Sequence, residues 1–287
     1  MAYADFLIGA DELQRHLREP AWRIVDCRFE LTQPEKGHAD YLDGHIPGAA
    51  YAHLDGDLAA PVTATTGRHP LPHPEDFTAT LGRWGISRET HVVVYDQASG
   101  AIAARLWWML REWLGHPSVV LLDGGYDAWL RAGLAIETGI PALVPATYVG
   151  QVNERAVVTT EELQRALVTE FLLDARDATR FAGLREPIDA AAGHVPGAMN
   201  VPFTASLHAD GTWRGQAELE AAWSVIFAGD RDRGWNTMCG SGVTACHLAL
   251  SAELAGFRTP RLYAGSWSEW IRDPGRPVAA AAAETRK

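Results

Sequence analysis

Cysteine is scarce in this chain: Cys27, Cys239 and Cys246 are the only three in 287 residues, too few and too scattered for a disulfide scaffold. No Cys/His spacing resembles a zinc site, so neither a metal nor an organic cofactor is expected. Long apolar runs are missing as well. Nothing approaches the roughly 18 consecutive apolar residues that span a bilayer, which argues against membrane insertion. The stretch Met1 to Gly9 lacks a basic region followed by a long apolar segment, so no secretory signal is visible and a cytoplasmic location is expected. Positive charge is also short, with 25 Lys and Arg against 36 Asp and Glu and a formal charge of −11. That balance argues against a nucleic-acid surface, which needs a basic patch to neutralise phosphates. An anionic substrate would have to be captured by local arginines and backbone donors.

What is present suits a soluble α/β protein. The length favours two domains of about 140 residues each, and the halves repeat each other at an offset of roughly 145 residues. Ile24-Val25-Asp26-Cys27-Arg28 returns as Leu172-Leu173-Asp174-Ala175-Arg176. Gly44-His45-Ile46-Pro47-Gly48-Ala49 returns as Gly193-His194-Val195-Pro196-Gly197-Ala198, and Gly124-Gly125-Tyr126 returns as Gly265-Ser266-Trp267. Short apolar runs alternate with helical patterns, which favours a largely parallel sheet flanked by helices in each half. Thr159 and Glu162 have capping-box spacing and would open the first helix of the second half. The organisation expected is a first domain over 1–138, a linker over 139–156, a second domain over 157–277 and a flexible tail over 278–287. Recurrence in both halves marks His45, His194, Asp26 and Asp174 as structural, while Trp107, Trp108, Trp129, Trp267 and Trp270 recur at helical positions and read as interdomain packing.

The halves differ at one chemically decisive place. Cys239-Gly240-Ser241-Gly242-Val243-Thr244 lies between a strand-like run and an Ala/Leu-rich helical pattern. Two glycines let the backbone curl, and the helix N-terminus adds partial positive charge, so a sulfur anion at Cys239 would be stabilised. The thiolate is the nucleophilic form of cysteine. In the first half the aligned position is Asp96, which cannot do thiol chemistry, so that half reads as a scaffold walling a cleft. A cysteine phosphatase needs Cys-x5-Arg, but the place for that arginine holds Ala245. Cys27 and Cys246 read as small core residues.

The residues quoted so far resemble the tandem-domain sulfurtransferases, the rhodanese and 3-mercaptopyruvate sulfurtransferase family. The likeness runs from Asp26-Cys27-Arg28 through both Gly-His-x-Pro-Gly-Ala segments to Gly265-Ser266-Trp267, and is most diagnostic over Cys239 to His247. It implies two tandem rhodanese-like domains, an inactive first and an active second, with a persulfide formed on Cys239. The family's Arg-Phe motif maps on Arg180-Phe181, placing Arg180 on the donor's carboxylate. A second arginine usually follows a Glu-Pro pair, but Glu186-Pro187 is followed here by Ile188, with Arg185 on the other side as a partial substitute. The proton relay of the mercaptopyruvate members maps on Ser241, His69 and Asp55, with Arg68 adding positive charge beside it. Backbone groups at Gly240, Gly242, Val243 and Thr244 would bind the anionic sulfur.

The loop offers neutral Gly240 and Ser241 where thiosulfate users carry basic residues, which favours 3-mercaptopyruvate as the small anionic sulfur donor. Thiosulfate stays open as an alternative, as does a non-catalytic persulfide carrier. The acceptor would be cyanide, a thiol or a thioredoxin-like protein.

Overall fold

The computed structural model describes residues 5–97 and 99–280. In the first half a five-stranded sheet forms from β1 (Leu7–Ile8), β2 (Trp22–Asp26), β3 (Ala50–Tyr51), β4 (His91–Tyr95) and β5 (Val119–Leu122), in the order β1-β5-β4-β2-β3. Every pairing is parallel. Helices α1 (Ala10–His16), α2 (Lys36–Asp43), α3 (Pro74–Arg83), α4 (Ala103–Trp108) and α5 (Gly125–Arg131) cover its faces. The run Val92-Val93-Val94-Tyr95 is buried throughout, as expected of a central parallel strand covered on both sides. Helix α4 stops at Trp108 and continues as a wider turn over Met109–Trp113, in which Leu114 N–H bonds to Met109 C=O at 3.0 Å.

The second half repeats this plan with α6 (Thr160–Ala166), β6 (Phe171–Asp174), α7 (Ala178–Phe181), β7 (Met199–Asn200), α8 (Gln216–Phe227), β8 (Trp235–Met238), α9 (Thr244–Leu254), β9 (Arg261–Leu262) and α10 (Ser266–Trp270). Its sheet runs β7-β6-β8-β9, again all parallel. A bridge from Val157 to Leu262 fills the place that β1 holds in the first half. Thr159 caps α6 in a reciprocal pair with Glu162. Among the described residues no helix is long and apolar enough to cross a membrane.

The sequence repeats have a common structural content. Arg28 grips Asp26 at 2.6 Å and donates to Gly44 C=O at 2.7 Å, and Arg176 does the same with Asp174 at 2.7 Å and Gly193 C=O at 2.8 Å. These pairs tie each strand end to the Gly-His turn. His45 Nδ1 then donates to Tyr41 C=O, and His194 Nδ1 to Phe181 C=O, both at 2.8 Å. The chain after each half folds back on this turn: Glu137 pairs with His45, and Ala279 pairs with His194. The tail expected from 278 therefore begins with a hydrogen-bonded return at Ala279, and residues 281–287 lie outside the described ones. Residues 139–156 run along the first sheet's helices, where Ala146 N–H bonds to Gly82 C=O at 2.9 Å and Tyr148 is buried.

The halves meet through α4 and α9, which share one apolar core. Every residue from Ala245 to Leu254 is buried, because α9 is wedged between its own sheet and α4. Trp107 and Trp108 belong to this shared core. Trp129 does not, lying in a cluster confined to the first domain, and Trp267 and Trp270 lie in one confined to the second. Interdomain packing therefore holds for only two of the five. The others follow the repeat, each supporting its own turn: Trp129 Nε1 donates to Ala135 C=O and Trp267 Nε1 to Ala191 C=O, both at 2.9 Å.

Candidate active site

In the second sheet, β7 leaves β6 on one side and β8 joins it on the other. The crevice beyond the strand ends at such a reversal is where α/β sheets hold ligands. Cys239 directly follows β8, Arg176 follows β6, and both line a cavity of about 240 Å³ at that point. Cys239 is 2% exposed. Its N–H donates to Ser266 Oγ at 3.1 Å, and its C=O accepts from Trp267 N–H at 3.0 Å. Gly240 C=O accepts from Ser268 N–H at 2.9 Å. The cysteine is thus held from behind by the turn at Gly265. The chain reaches α9 through Gly242, whose φ of +75° and 2.5 Å clearance to Ala264 C=O exclude a side chain. The first amides of α9 have no acceptor within the helix and carry its positive dipole end.

The first domain supplies the other wall. His69 Nδ1 lies 2.8 Å from Ser241 Oγ, and His69 Nε2 lies 3.1 Å from Asp55 Oδ1. With Asp55 accepting from Nε2–H, the bare Nδ1 accepts the Ser241 hydroxyl proton. Burial, with the charges of Arg68 and Arg105 behind it, lowers the His69 pKa to about 3. The half-exposed Asp55 does not offset this, so the imidazole is neutral at working pH.

Two guanidinium groups converge over Gly240. A side chain built there would meet Arg68 Nη2 at 3.1 Å and Arg180 Nη1 at 3.6 Å. Both arginines are held by carboxylates. Arg180 is gripped by Glu186 through Nε and Nη2, at 2.8 to 3.2 Å, and donates to Asp189 Oδ2 at 3.0 Å. Asp189 also takes Arg68 Nη1 at 2.6 Å, so one carboxylate spans the two domains. Arg180 Nη1 and Arg68 Nη2 are left facing the cavity.

The structure brings Cys239, Ser241, His69, Arg68, Arg180, Gly240, Val243 and Thr244 to the cavity wall, with Asp55 behind His69. It does not bring Gly242 or Arg185. Gly242 packs on Ala264 and turns its carbonyl to Arg105. Arg185 is exposed, while its neighbour Glu186 turns inward to grip Arg180. Ile188 lines the cavity where a second arginine was expected.

The sequence pattern of the rhodanese-like domain matches the chain twice, over residues 9–132 and 159–273. The chain belongs to the rhodanese-like family. Relatives within it match along most of the chain. A protein of Pseudomonas aeruginosa named probable 3-mercaptopyruvate sulfurtransferase is 47% identical over 95% of this chain and 97% of its own. A putative thiosulfate sulfurtransferase SseB of Mycobacterium tuberculosis is 43% identical over 89% of each chain. Among solved structures, a 3-mercaptopyruvate sulfurtransferase from Leishmania major superposes with a TM-score of 0.83 at 33% identity, covering 94% of this chain and 75% of that one. The crystal structure of SseA from Escherichia coli does so with 0.78 at 33% identity, over 92% and 99%.

Four contributors to this rhodanese-like site escape a reading of the sequence: Asp189, Glu186, Ser266 and Arg105. Glu186 was visible only as a marker for its neighbour. Ser266 carried a signal, since it breaks the repeat by standing where the first half has Gly125. Both residues are left-handed, at φ +53° and +56°, and a serine there is strained by about 1–3 kcal/mol. Its Oγ repays that by receiving Cys239 N–H and donating to Tyr263 C=O at 2.8 Å.

Proposed function

We propose that this protein is a sulfurtransferase that takes sulfur from 3-mercaptopyruvate, holds it as a persulfide on Cys239 and passes it to an acceptor nucleophile. The observation that carries the reading is the chain from Ser241 through His69 to Asp55, closed at 2.8 and 3.1 Å, beside a cysteine at a helix N-terminus. A donor that leaves as a carbanion needs a proton, and such a relay delivers one. Relatives and neighbours that match more than nine-tenths of this chain, and are named as 3-mercaptopyruvate sulfurtransferases, support the same donor.

The charge around the cavity supports it too. Arg68, Arg176 and Arg180 are matched by Asp174, Glu186 and Asp189, so the wall offers directed donors but little net positive charge. That suits the single carboxylate of mercaptopyruvate, bound by Arg180 Nη1 and Arg68 Nη2, better than a dianion.

The Cys239 thiolate attacks the donor's thiol sulfur. The S–S bond forms as the C–S bond breaks, and the electron pair leaves on the methylene carbon as the enolate of pyruvate. The proton on the transferred sulfur passes to Ser241, whose own proton moves on to His69 Nδ1. Asp55 steadies the transient imidazolium. The relay then runs back and protonates the carbon, completing pyruvate and leaving the persulfide anionic beside the amides of the loop. A thiol, a thioredoxin-like dithiol or cyanide attacks the outer sulfur, and the Cys239 thiolate returns.

Thiosulfate is the second reading, favoured by the name of the mycobacterial relative; Ile188 in place of a second arginine removes one carboxylate contact expected for mercaptopyruvate without adding charge for a dianion. Pure protein given 3-mercaptopyruvate and a thiol, or thiosulfate and cyanide, ranks the two through pyruvate and thiocyanate release. Pyruvate release at the higher kcat/KM is expected. Neither product would leave the protein a persulfide carrier loaded by a partner.

A further inference from the structure

Ile188 leaves an apolar, 42% exposed side chain at the cavity where a second carboxylate-binding arginine was expected. Glu186 fixes the turn around it: its carboxylate accepts the N–H groups of Ile188 at 3.0 Å and Asp189 at 3.1 Å while gripping Arg180. That turn directs Asp189 inward, where its carboxylate is 4% exposed. The first domain brings a cation to meet it. Three successive residues of one loop dock on the second domain. A Cβ on Gly67 would lie 2.3 Å from Gly265 C=O, Arg68 N–H donates to Ser268 Oγ at 2.9 Å, and His69 Nδ1 meets Ser241 Oγ at 2.8 Å. The Arg68 side chain is therefore held at the seam by its own backbone.

Arg68 Nη1 donates to Asp189 Oδ1 at 2.6 Å, and Arg180 Nη2 donates to Asp189 Oδ2 at 3.0 Å. Two guanidinium groups brought together repel each other, and a carboxylate between them removes that cost. Asp189 takes one nitrogen from each and leaves one of each, Arg68 Nη2 and Arg180 Nη1, over Gly240. Two donors match the two oxygens of one carboxylate. We propose that the bridge from Arg68 through Asp189 to Arg180 is a relocated specificity device: Arg68, from the first domain, replaces the arginine missing at Ile188, and Asp189 limits the seat to a single negative charge. This deepens the function proposed above and rests on its donor being a monocarboxylate. The lobe without the reactive sulfur thereby holds half of the donor's carboxylate, so the seat is complete only across the two domains.

Pyruvate, the sulfur-free product, is the probe. Its binding to full-length protein is read by saturation-transfer NMR, with sulfate as a competing dianion. Arg68→Gln is expected to weaken pyruvate about tenfold, and to raise KM for 3-mercaptopyruvate by a similar factor with kcat within about threefold. Adding Ile188→Arg to Arg68→Gln is expected to bring pyruvate binding back to within about threefold of wild type. Arg68→Lys, a point charge without the fork that serves Asp189 and a ligand together, is expected to fall between wild type and Arg68→Gln. The exposed Arg185 is the control, and Arg185→Gln is expected to change nothing. Asp189→Asn is expected to strengthen sulfate relative to pyruvate about tenfold. Arg68 variants that bind pyruvate as wild type does, an Ile188→Arg that recovers nothing, or an unmoved sulfate-to-pyruvate ratio in Asp189→Asn overturns the proposal. None of these readings of binding needs sulfur transfer. A protein that shows the shifts but releases no pyruvate from 3-mercaptopyruvate would bear out the seat and sink the proposed activity alone.

Discussion

Two loops hold the same place in the two sheets, one after β4 and one after β8, and they handle negative charge in opposite ways. After β4 the chain supplies its own anion. Asp96 accepts from the N–H groups of Gly100, Ile102 and Ala103 at 2.9 to 3.1 Å, so its carboxylate occupies the amides at the start of α4. After β8 the same position carries Cys239, and the amides at the start of α9 border a cavity. One architecture, duplicated, has a satisfied site in the first copy and an open one in the second. The turn behind each loop differs in step, with Gly125 in the first half and the strained, hydrogen-bonding Ser266 in the second.

Removing the sulfur gives the largest expected break in this comparison. Cys239→Ser puts a hydroxyl in the open loop, and turnover with either donor is expected to fall by about 10³-fold or more, with no sulfur retained on the protein. Pyruvate and thiocyanate assays with intact mass check it. Next in size is the relay. Ser241→Ala and His69→Asn are expected to lower kcat with mercaptopyruvate by about 10²-fold. The thiosulfate and cyanide reaction, which protonates no carbon, should change only a few-fold. Equal losses with both donors would show the relay to be structural.

Asp189→Asn sharpens the comparison at the anion seat. It unbalances the charge around Arg68 and Arg180, and the ratio of kcat/KM for thiosulfate over mercaptopyruvate is expected to rise about tenfold. The smallest effect is on stability. His69 binds a proton near pH 6.5 when unfolded but only near 3 when folded, so the unfolded chain takes up the extra proton and folding weakens as pH falls below 6.5. Above that pH the contribution is complete. The loss attributable to His69 is about 1–2 kcal/mol at pH 5. His247, stacked on Trp213 and lowered to about 3 by complete burial, adds in the same direction. Urea midpoints at pH 7 and pH 5, for wild type and His69→Asn, separate the two.

The sequence carried the duplication because repeated motifs encode repeated bonds: Asp26 with Arg28, Asp174 with Arg176, and each Gly-His turn pinned beneath them. Cys239 was legible because a thiol stood where the copy has an acid. What stayed hidden depends on chain segments far apart in sequence. Asp189 matters because it meets Arg68, 121 positions away, and Arg105 because it meets Gly242, 137 positions away. No local pattern distinguishes such residues from surface charges. Arg185 shows the converse error, since a place next to Glu186 in the chain says nothing about which way a side chain turns. The tryptophans mislead for a related reason: recurrence at helical positions marks burial, but not whether the buried face looks toward the other domain or into its own.

If sulfur moves to Cys239 as pyruvate leaves, one rapid-mixing experiment without acceptor shows it. Wild-type protein and excess 3-mercaptopyruvate should yield a single burst of pyruvate equal to the protein present, together with a mass gain of one sulfur atom that maps to the Cys239 peptide. Pyruvate released without sulfur on that peptide, or sulfur found instead on Cys27 or Cys246, would contradict it.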